Sequence, residues 1–177
     1  MNGFDARDLE KLLTSLLRPV GFRREGRNWR LDLPDVIQVV NLQRSRWSDS
    51  FYLNIGIFVR AVQNEPGRVR NEAKPSIVDC HFRIRLGDLF SGPPVPPTKI
   101  SAEQIRLYEL LDLEDGRIDP ATREMELSAM IAQRMLPFLE LCRSDAGILS
   151  AIERKLAPGY MLYRPLRDRL GLKPPVS

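Results

Sequence analysis

The 177 residues include one histidine, His81, and two cysteines, Cys80 and Cys142. That scarcity removes most metal chemistry. Carboxylates would have to supply the ligands, and pairs such as Glu114/Asp115 or Glu124/Glu126 lack metal-ligand spacing. The two cysteines lie far apart and form neither a redox pair nor a zinc-spaced one. No apolar run approaches the roughly 20 residues of a membrane span, so no membrane partner is expected. Walker, dinucleotide-glycine, HExxH and GxSxG patterns are missing, and so is any internal repeat. The expectation is a protein with no metal, no cofactor and no catalytic signature. The opening "MNGFDARDLEKLL" carries acids where a secretory signal needs bases, and its apolar residues are spaced rather than continuous. A cytoplasmic protein with reduced thiols is expected.

What is present is ordinary for a globular chain: 43% apolar and 28% charged residues. A chain this long buries about 70% of the surface it exposes when unfolded, enough for a core without staples. Residues 1–157 are read as one α+β domain, and 158–177 as a basic, proline-containing C-terminal extension. The net charge of +4 is unevenly placed. Thirteen Lys/Arg against seven Asp/Glu give +6 over residues 18–85. Six against eleven give −5 over 99–153, and six against one give +5 over 154–173. These blocks can pair with one another. Five lysines against twenty-two arginines suggest codon bias more than a binding need.

Leu9, Leu12, Leu13, Leu16, Leu17 and Val20 follow helical spacing, with Asp5 as N-cap, and predict a helix over about 6–18. Strand alternation follows at Trp29, Leu31 and Leu33, then over 36–44, 51–60 and 82–86, where Gly87 stops it. "SGPPVPPTK" (91–99) reads as an extended proline-rich loop. Over 101–113 two readings compete. Ser101 with Gln104 has the form of a capping box, while Ile105, Leu107, Leu111 and Leu113 share strand parity. A short turn and then a fifth strand at 107–113 is expected. Asp119–Pro120 opens a long helix, kinked near Pro137. Ser144 or Asp145 caps another to about Leu156, and a short last helix runs from Pro165 to Leu170 with Gly171 beyond it. The fold class is α+β: an antiparallel sheet of four to five strands, one face packed by the N-terminal and C-terminal helices.

The hairpin "VVNLQRSRWSDSFYLNIG" (39–56) carries the functional interest. A symmetric turn sets Leu42 opposite Leu53 and Val40 opposite Ile55 on one face, with Asn41 opposite Asn54 and Gln43 opposite Tyr52 on the other. The first face is aliphatic and needs a helical cover. The second mixes Ile37, Val39, Tyr52 and Phe58 with Arg30, Asn41, Gln43, Asn54, Arg60, His81, Arg83 and Arg85. Antiparallel sheets often leave one side in water. Aromatic platforms beside forked arginines also suit carboxylate, phosphate or base-bearing partners. Trp47 at the hairpin tip either folds back on its strand or anchors an interface. The candidate surface is therefore Arg30, Asn41, Gln43, Trp47, Tyr52, Asn54, Phe58, His81, Arg83 and Arg85. Cys80 and His81 point to opposite faces of a strand and cannot form a nucleophile–base pair. Asp79 shares a face with His81, but that pair lacks a nucleophile, and His81 is expected to be exposed.

"LLRPVGFRREGRNW", "DVIQVVNLQRSRW", "FYLNIGIF" and "CHFRIRLG" resemble, in that order, a bacterial family catalogued as a domain of unknown function, number 4304 in its series. The likeness spans about residues 5–140 and does not extend to the "PPVPP" loop or to the tail after residue 157. It implies a small cytoplasmic α+β domain and supplies no catalytic residues.

The leading expectation is a non-enzymatic domain that engages a protein partner through the open sheet face and the Trp47 tip. An immunity or accessory role fits by fold-level analogy alone. One alternative is nucleic-acid binding by the basic sheet and tail. Another is an enzyme acting on an anionic substrate, with His81 as base and Arg83 or Arg85 as clamps.

Overall fold

The computed structural model describes residues 3–63, 71–90, 100–157 and 161–173. The proline-rich loop expected at 91–99 lies outside the described residues. Helix α1 spans Ala6–Leu17, and its Asp5 cap accepts from the amides of Arg7 and Asp8 at 2.7 and 3.1 Å. The Asp8 carboxylate returns a bond to the Asp5 amide, closing a capping box. Leu9, Leu12, Leu13 and Leu17 form its buried stripe.

Five strands follow in a simple antiparallel meander: β1 (Arg23–Glu25), β2 (Asn28–Asp32), β3 (Val36–Arg44), β4 (Phe51–Val59) and β5 (Phe82–Arg85). The β3–β4 register pairs Leu42 with Leu53, Val40 with Ile55, Asn41 with Asn54 and Gln43 with Tyr52, as the symmetric turn requires. On the aliphatic face Val40, Leu42, Leu53, Ile55, Phe82 and Ile84 enter the main core with the leucines of α1. The Trp29 indole donates to the Thr14 hydroxyl at 3.1 Å, tying α1 to the sheet.

The strand expected at 107–113 is instead helix α2, Ala102–Leu111. The Ser101 hydroxyl accepts from the Gln104 amide and the Gln104 side chain accepts from the Ser101 amide, at 3.1 and 3.0 Å. Leu107 and Leu111 are four apart as well as even-spaced, so they share a helical face too, and both are buried. Only a single bridge, Ser50 to Asp112, remains of strand pairing there. The fifth strand is β1, at the opposite edge of the sheet.

Helix α3 (Pro120–Met130) begins at the Asp119 cap and runs through a π-turn, Ile131–Met135, into α4 (Leu136–Leu141). Pro137 has no N–H to offer the turn before it. The Leu136 amide reaches back five residues to the Ile131 carbonyl, and the widened turn absorbs the misfit expected there as a kink. Helices α5 (Asp145–Glu153) and α6 (Arg164–Arg169) complete the order, and Gly171 at φ +68° follows the C-cap of α6. Leu162 and Leu166, from the C-terminal extension, are buried in the main core.

Two polar side chains close helix ends inside the protein. Buried Gln38 donates to the carbonyls of Leu139 and Cys142, at 2.6 and 3.2 Å. The Arg123 guanidinium, also buried, donates to the carbonyls of Glu109, Leu110, Asp112 and Asp115 at 2.5–3.1 Å. Gln38 satisfies carbonyls at the end of α4. Arg123 gathers those at the end of α2 and in the turn after it, of which Glu109 and Asp112 also accept long backbone bonds from Asp112 and Asp115.

Candidate functional site

The second sheet face is not uniformly wet. Ile37, Val39, Phe58 and Cys80 form a small core of their own beneath the chain that leads into β5. A short 3-10 turn, Ile77–Asp79, crosses the sheet there, capped at Ser76. Gly56 makes the crossing close: a Cβ at this position would stand 2.6 Å from Cys80 Sγ and 2.7 Å from Ile77 Cδ1. The roof is pinned at its start, where Arg30 Nε donates to the Pro75 carbonyl at 3.1 Å. At its end the Val59 amide donates to His81 Nδ1 at 3.0 Å and the His81 amide donates to the Ile57 carbonyl at 2.9 Å.

Three candidate surface residues are thereby reassigned. His81 is 1% exposed rather than open, and its ring lies 4.7 Å from that of Phe58. Its Nδ1 is an acceptor in a backbone bond, so this nitrogen is not offered to a substrate. Phe58 is buried in the same layer. Arg30 bonds the roof and Glu25, at 3.1 and 3.2 Å. All three lie where the sheet is covered.

The other half of the face, toward the hairpin tip, is partly open: Gln43 and Arg85 are exposed, Arg83 is half-buried and Asn54 is buried on the floor. Gln43, Asn54, Arg83 and Arg85 line a groove of about 810 Å³. Ile77 and Val78 of the roof line it as well, and so do Met161 to Arg164. The latter segment is held against β5 by a bridge between Leu162 and Phe82 and by the Tyr163 amide, which donates to the His81 carbonyl at 2.7 Å. The register places Arg85 beside Asn54 and Arg83 beside Gly56, so β5 brings both arginines onto this face.

The floor is ordered by its own contacts. Asn54 Nδ2 donates to Asn41 Oδ1 and to Gln43 Oε1, both at 3.0 Å, and Asn41 Nδ2 donates to Asn28 Oδ1 at 2.9 Å. This ladder uses both Asn54 donors and leaves the Gln43 amide nitrogen and Asn54 Oδ1 without protein partners among the described residues. The Arg85 guanidinium lies 4.5 Å from the Tyr52 ring centroid, and that of Arg83 lies 5.4 Å from the Tyr163 ring. Among the described residues neither pairs with a carboxylate within 4 Å. Asp88 also lines the groove, and its carboxylate accepts from the Arg85 amide at 2.6 Å. Burial raises the Asp88 carboxyl above its ordinary range, against the lowering effect of that bond. Tyr108 is raised too, first by burial and then by the charge of Asp88.

Trp47 stands apart. It is 95% exposed on the hairpin tip, its amide donating to the Ser45 hydroxyl at 3.1 Å, and it does not line the groove. Of the candidate surface, Gln43, Asn54, Arg83 and Arg85 line one groove, Asn41 and Tyr52 support them, and the remaining four do not reach it. Ile77, Asp88, Met161 and Tyr163 are groove residues that sequence reasoning missed. Gly56 was the available signal, since a glycine inside a strand marks close approach of another chain segment.

Much of the remaining basic charge is neutralised locally. Arg24 and Arg27 both meet Glu10, Lys74 meets Glu25, Arg60 meets Asp32 at 2.9 Å, and Arg169 meets Asp145 at 2.6 Å. Among the described residues no group of His, Cys, Asp and Glu is arranged to hold a metal, and no helix is long and apolar enough to cross a membrane.

No curated protein and no solved structure matches the chain. A family model does, over residues 13–141, a span that holds the whole sheet, the roof, Arg83 and Arg85. The chain belongs to the family described as a domain of unknown function, DUF4304.

Proposed function

We propose that this protein is a non-enzymatic binding domain of the cytoplasm that engages a partner protein through the groove on the second sheet face. One observation carries the reading: Arg83 and Arg85 line the groove, each laid against a tyrosine ring and neither paired with a carboxylate among the described residues, while many arginines elsewhere are so paired. Stacked guanidinium groups keep their forks while losing conformational freedom, so less entropy is lost when a partner binds them. The buried imidazole of His81 takes away the only histidine from catalysis in the groove. The scattered pairing of the other arginines favours a compact protein contact over a phosphate track, which needs consecutive free cations.

The test is a photo-crosslinking residue placed at Gln43 in the living cell, with the same residue at exposed Asp35 as control. A discrete protein adduct from position 43 alone, lost when Arg83 and Arg85 are both changed to Gln, is the expected outcome. The same adducts from both positions, or none from position 43, would overturn the reading.

A further inference from the structure

The groove's chemistry narrows its occupant, provided that it is a binding site as argued above. Three guanidinium groups line it; that of Arg164 pairs with Asp168 at 3.6 Å, and those at positions 83 and 85 supply positive charge not paired with a carboxylate among the described residues. Those positions are two residues apart on one strand, which sets their Cα atoms roughly 6.6–6.8 Å apart, the repeat of alternate side chains in any extended chain. Beside the arginines the hairpin strands offer one amide donor, at Gln43, and one amide acceptor, Asn54 Oδ1. A donor beside an acceptor is the complement of a peptide group. Apolar side chains line it too: Val78, 59% exposed, and Met161.

A polynucleotide fits these features poorly. The free cations lining the groove among the described residues, Arg83 and Arg85, make too short a row for a run of phosphates. Lys74 and Arg30, the cations nearest in sequence on the roof side, are both bound to Glu25. A free inorganic anion would use the forks but leave the amides and the apolar side chains without a role.

We propose that the groove takes an extended acidic segment of a partner protein, with carboxylates at alternate positions on Arg83 and Arg85 and a peptide group against Gln43 and Asn54. Charge complementarity selects the segment, and the amide pair fixes its register. Each carboxylate on a guanidinium fork is a charge-assisted contact, the stronger class of hydrogen bond.

The experiment is an NMR titration of the full chain with three probes at low salt: the peptide Gly-Ser-Glu-Val-Glu-Ser-Gly, its counterpart with both Glu replaced by Gln, and a single-stranded oligothymidylate. The readouts are the side-chain amide signals of Gln43 and Asn54 and the Nε–H signals of Arg83 and Arg85. The acidic peptide is expected to shift these four signals, with affinity about tenfold above the Gln peptide. Arg83→Gln and Arg85→Gln should each weaken it by about tenfold. The amide spectrum of each variant reports directly whether the fold is kept. Equal affinity for the Glu and Gln peptides, shifts elsewhere, or tighter binding of the oligothymidylate at the same residues would overturn the proposal. If position 43 crosslinks a protein in cells while the acidic peptide fails, the acidic segment is wrong and the binding groove stands. Silence in both experiments removes both.

Discussion

Replacing Gly56 by alanine tests how the second face is built. A methyl group there would meet Cys80 Sγ at 2.6 Å, Ile77 Cδ1 at 2.7 Å and Cys80 Cβ at 3.0 Å. Ile77 can swing its terminal carbon aside. Cys80 cannot, because it is fully buried among Ile37, Val39 and Phe58. The roof must rise by several tenths of an ångström or more. Inserting a methyl into a packed layer costs about 1–3 kcal/mol. Gly56 lacks the left-handed backbone that would make alanine strained in itself, so alanine also recovers about 0.4–1 kcal/mol by restricting the unfolded chain. The net expectation is a loss of about 1–2 kcal/mol, which lowers the urea midpoint by roughly 0.5–1 M for an m-value near 2 kcal/mol/M. The double variant Gly56→Ala/Cys80→Ala removes both Cys80 Sγ and its steric conflict. The two changes should therefore be non-additive by at least about 0.5 kcal/mol. The assay is equilibrium urea unfolding of wild type, both single variants and the double. An unchanged or raised midpoint for Gly56→Ala, or strict additivity, would refute the packed roof.

The helix-end devices give two more expectations. Arg123→Met takes the guanidinium from the carbonyls of Glu109, Leu110, Asp112 and Asp115, of which only Glu109 and Asp112 keep a long backbone bond, and should cost about 2–4 kcal/mol in thermal or urea unfolding. Gln38→Leu, similar in size but without the amide, should cost about 1–3 kcal/mol by orphaning the carbonyls of Leu139 and Cys142. A loss below about 0.5 kcal/mol in either would show that those carbonyls find other partners. Burial pushes the Cys142 thiol up to about 12, and Cys80 is buried as well, so a thiol reagent at pH 8 should label neither in the folded protein and both in urea. Asp88 holds its proton to higher pH in the fold than in the unfolded chain, so its own contribution to folding stability should decline as pH rises from the ordinary carboxyl value through the raised one, against the opposite trend of the lowered carboxyls of Asp8, Glu25, Asp115, Asp119 and Glu126. Asp88→Asn should abolish that decline and strengthen binding of the acidic peptide. Identical pH profiles for the two proteins would contradict it.

The hairpin and its register were legible because alternation over nine-residue strands fixes which residues face each other. Helix α1 was legible from its stripe and cap. Strand β1 was not, because Arg23, Arg24 and Glu25 are all exposed and show no alternation. Helix α2 was misjudged because four-residue helical spacing also satisfies strand parity, and the capping box at Ser101 was the better discriminator. On the candidate site, parity correctly placed Gln43, Asn54, Arg83 and Arg85 on one face. It could not say that a loop would return over half of that face, since the return depends on contacts between segments remote in sequence. His81 was misplaced for that reason: a polar residue next to a strand reads as exposed until the roof that buries it is known.

The groove owes its shape to two coverings of different origin. The roof from Pro75 to His81 lies within the span matched by the family, as does the floor of Gln43, Asn54, Arg83 and Arg85. The facing wall, Met161 to Arg164, lies outside that span, yet Leu162 and Leu166 beside it are buried in the main core. The wall is thus a fixed part of this molecule's fold rather than a loose tail, and its Tyr163 orients one of the two arginines. Arg85 takes its orientation from Tyr52, a residue of the matched sheet. Loss of Tyr163 would free Arg83 while leaving Arg85 in place. The two ends of the groove therefore answer to different parts of the chain, and a change in the C-terminal segment can alter what is recognised at Arg83 without disturbing the sheet.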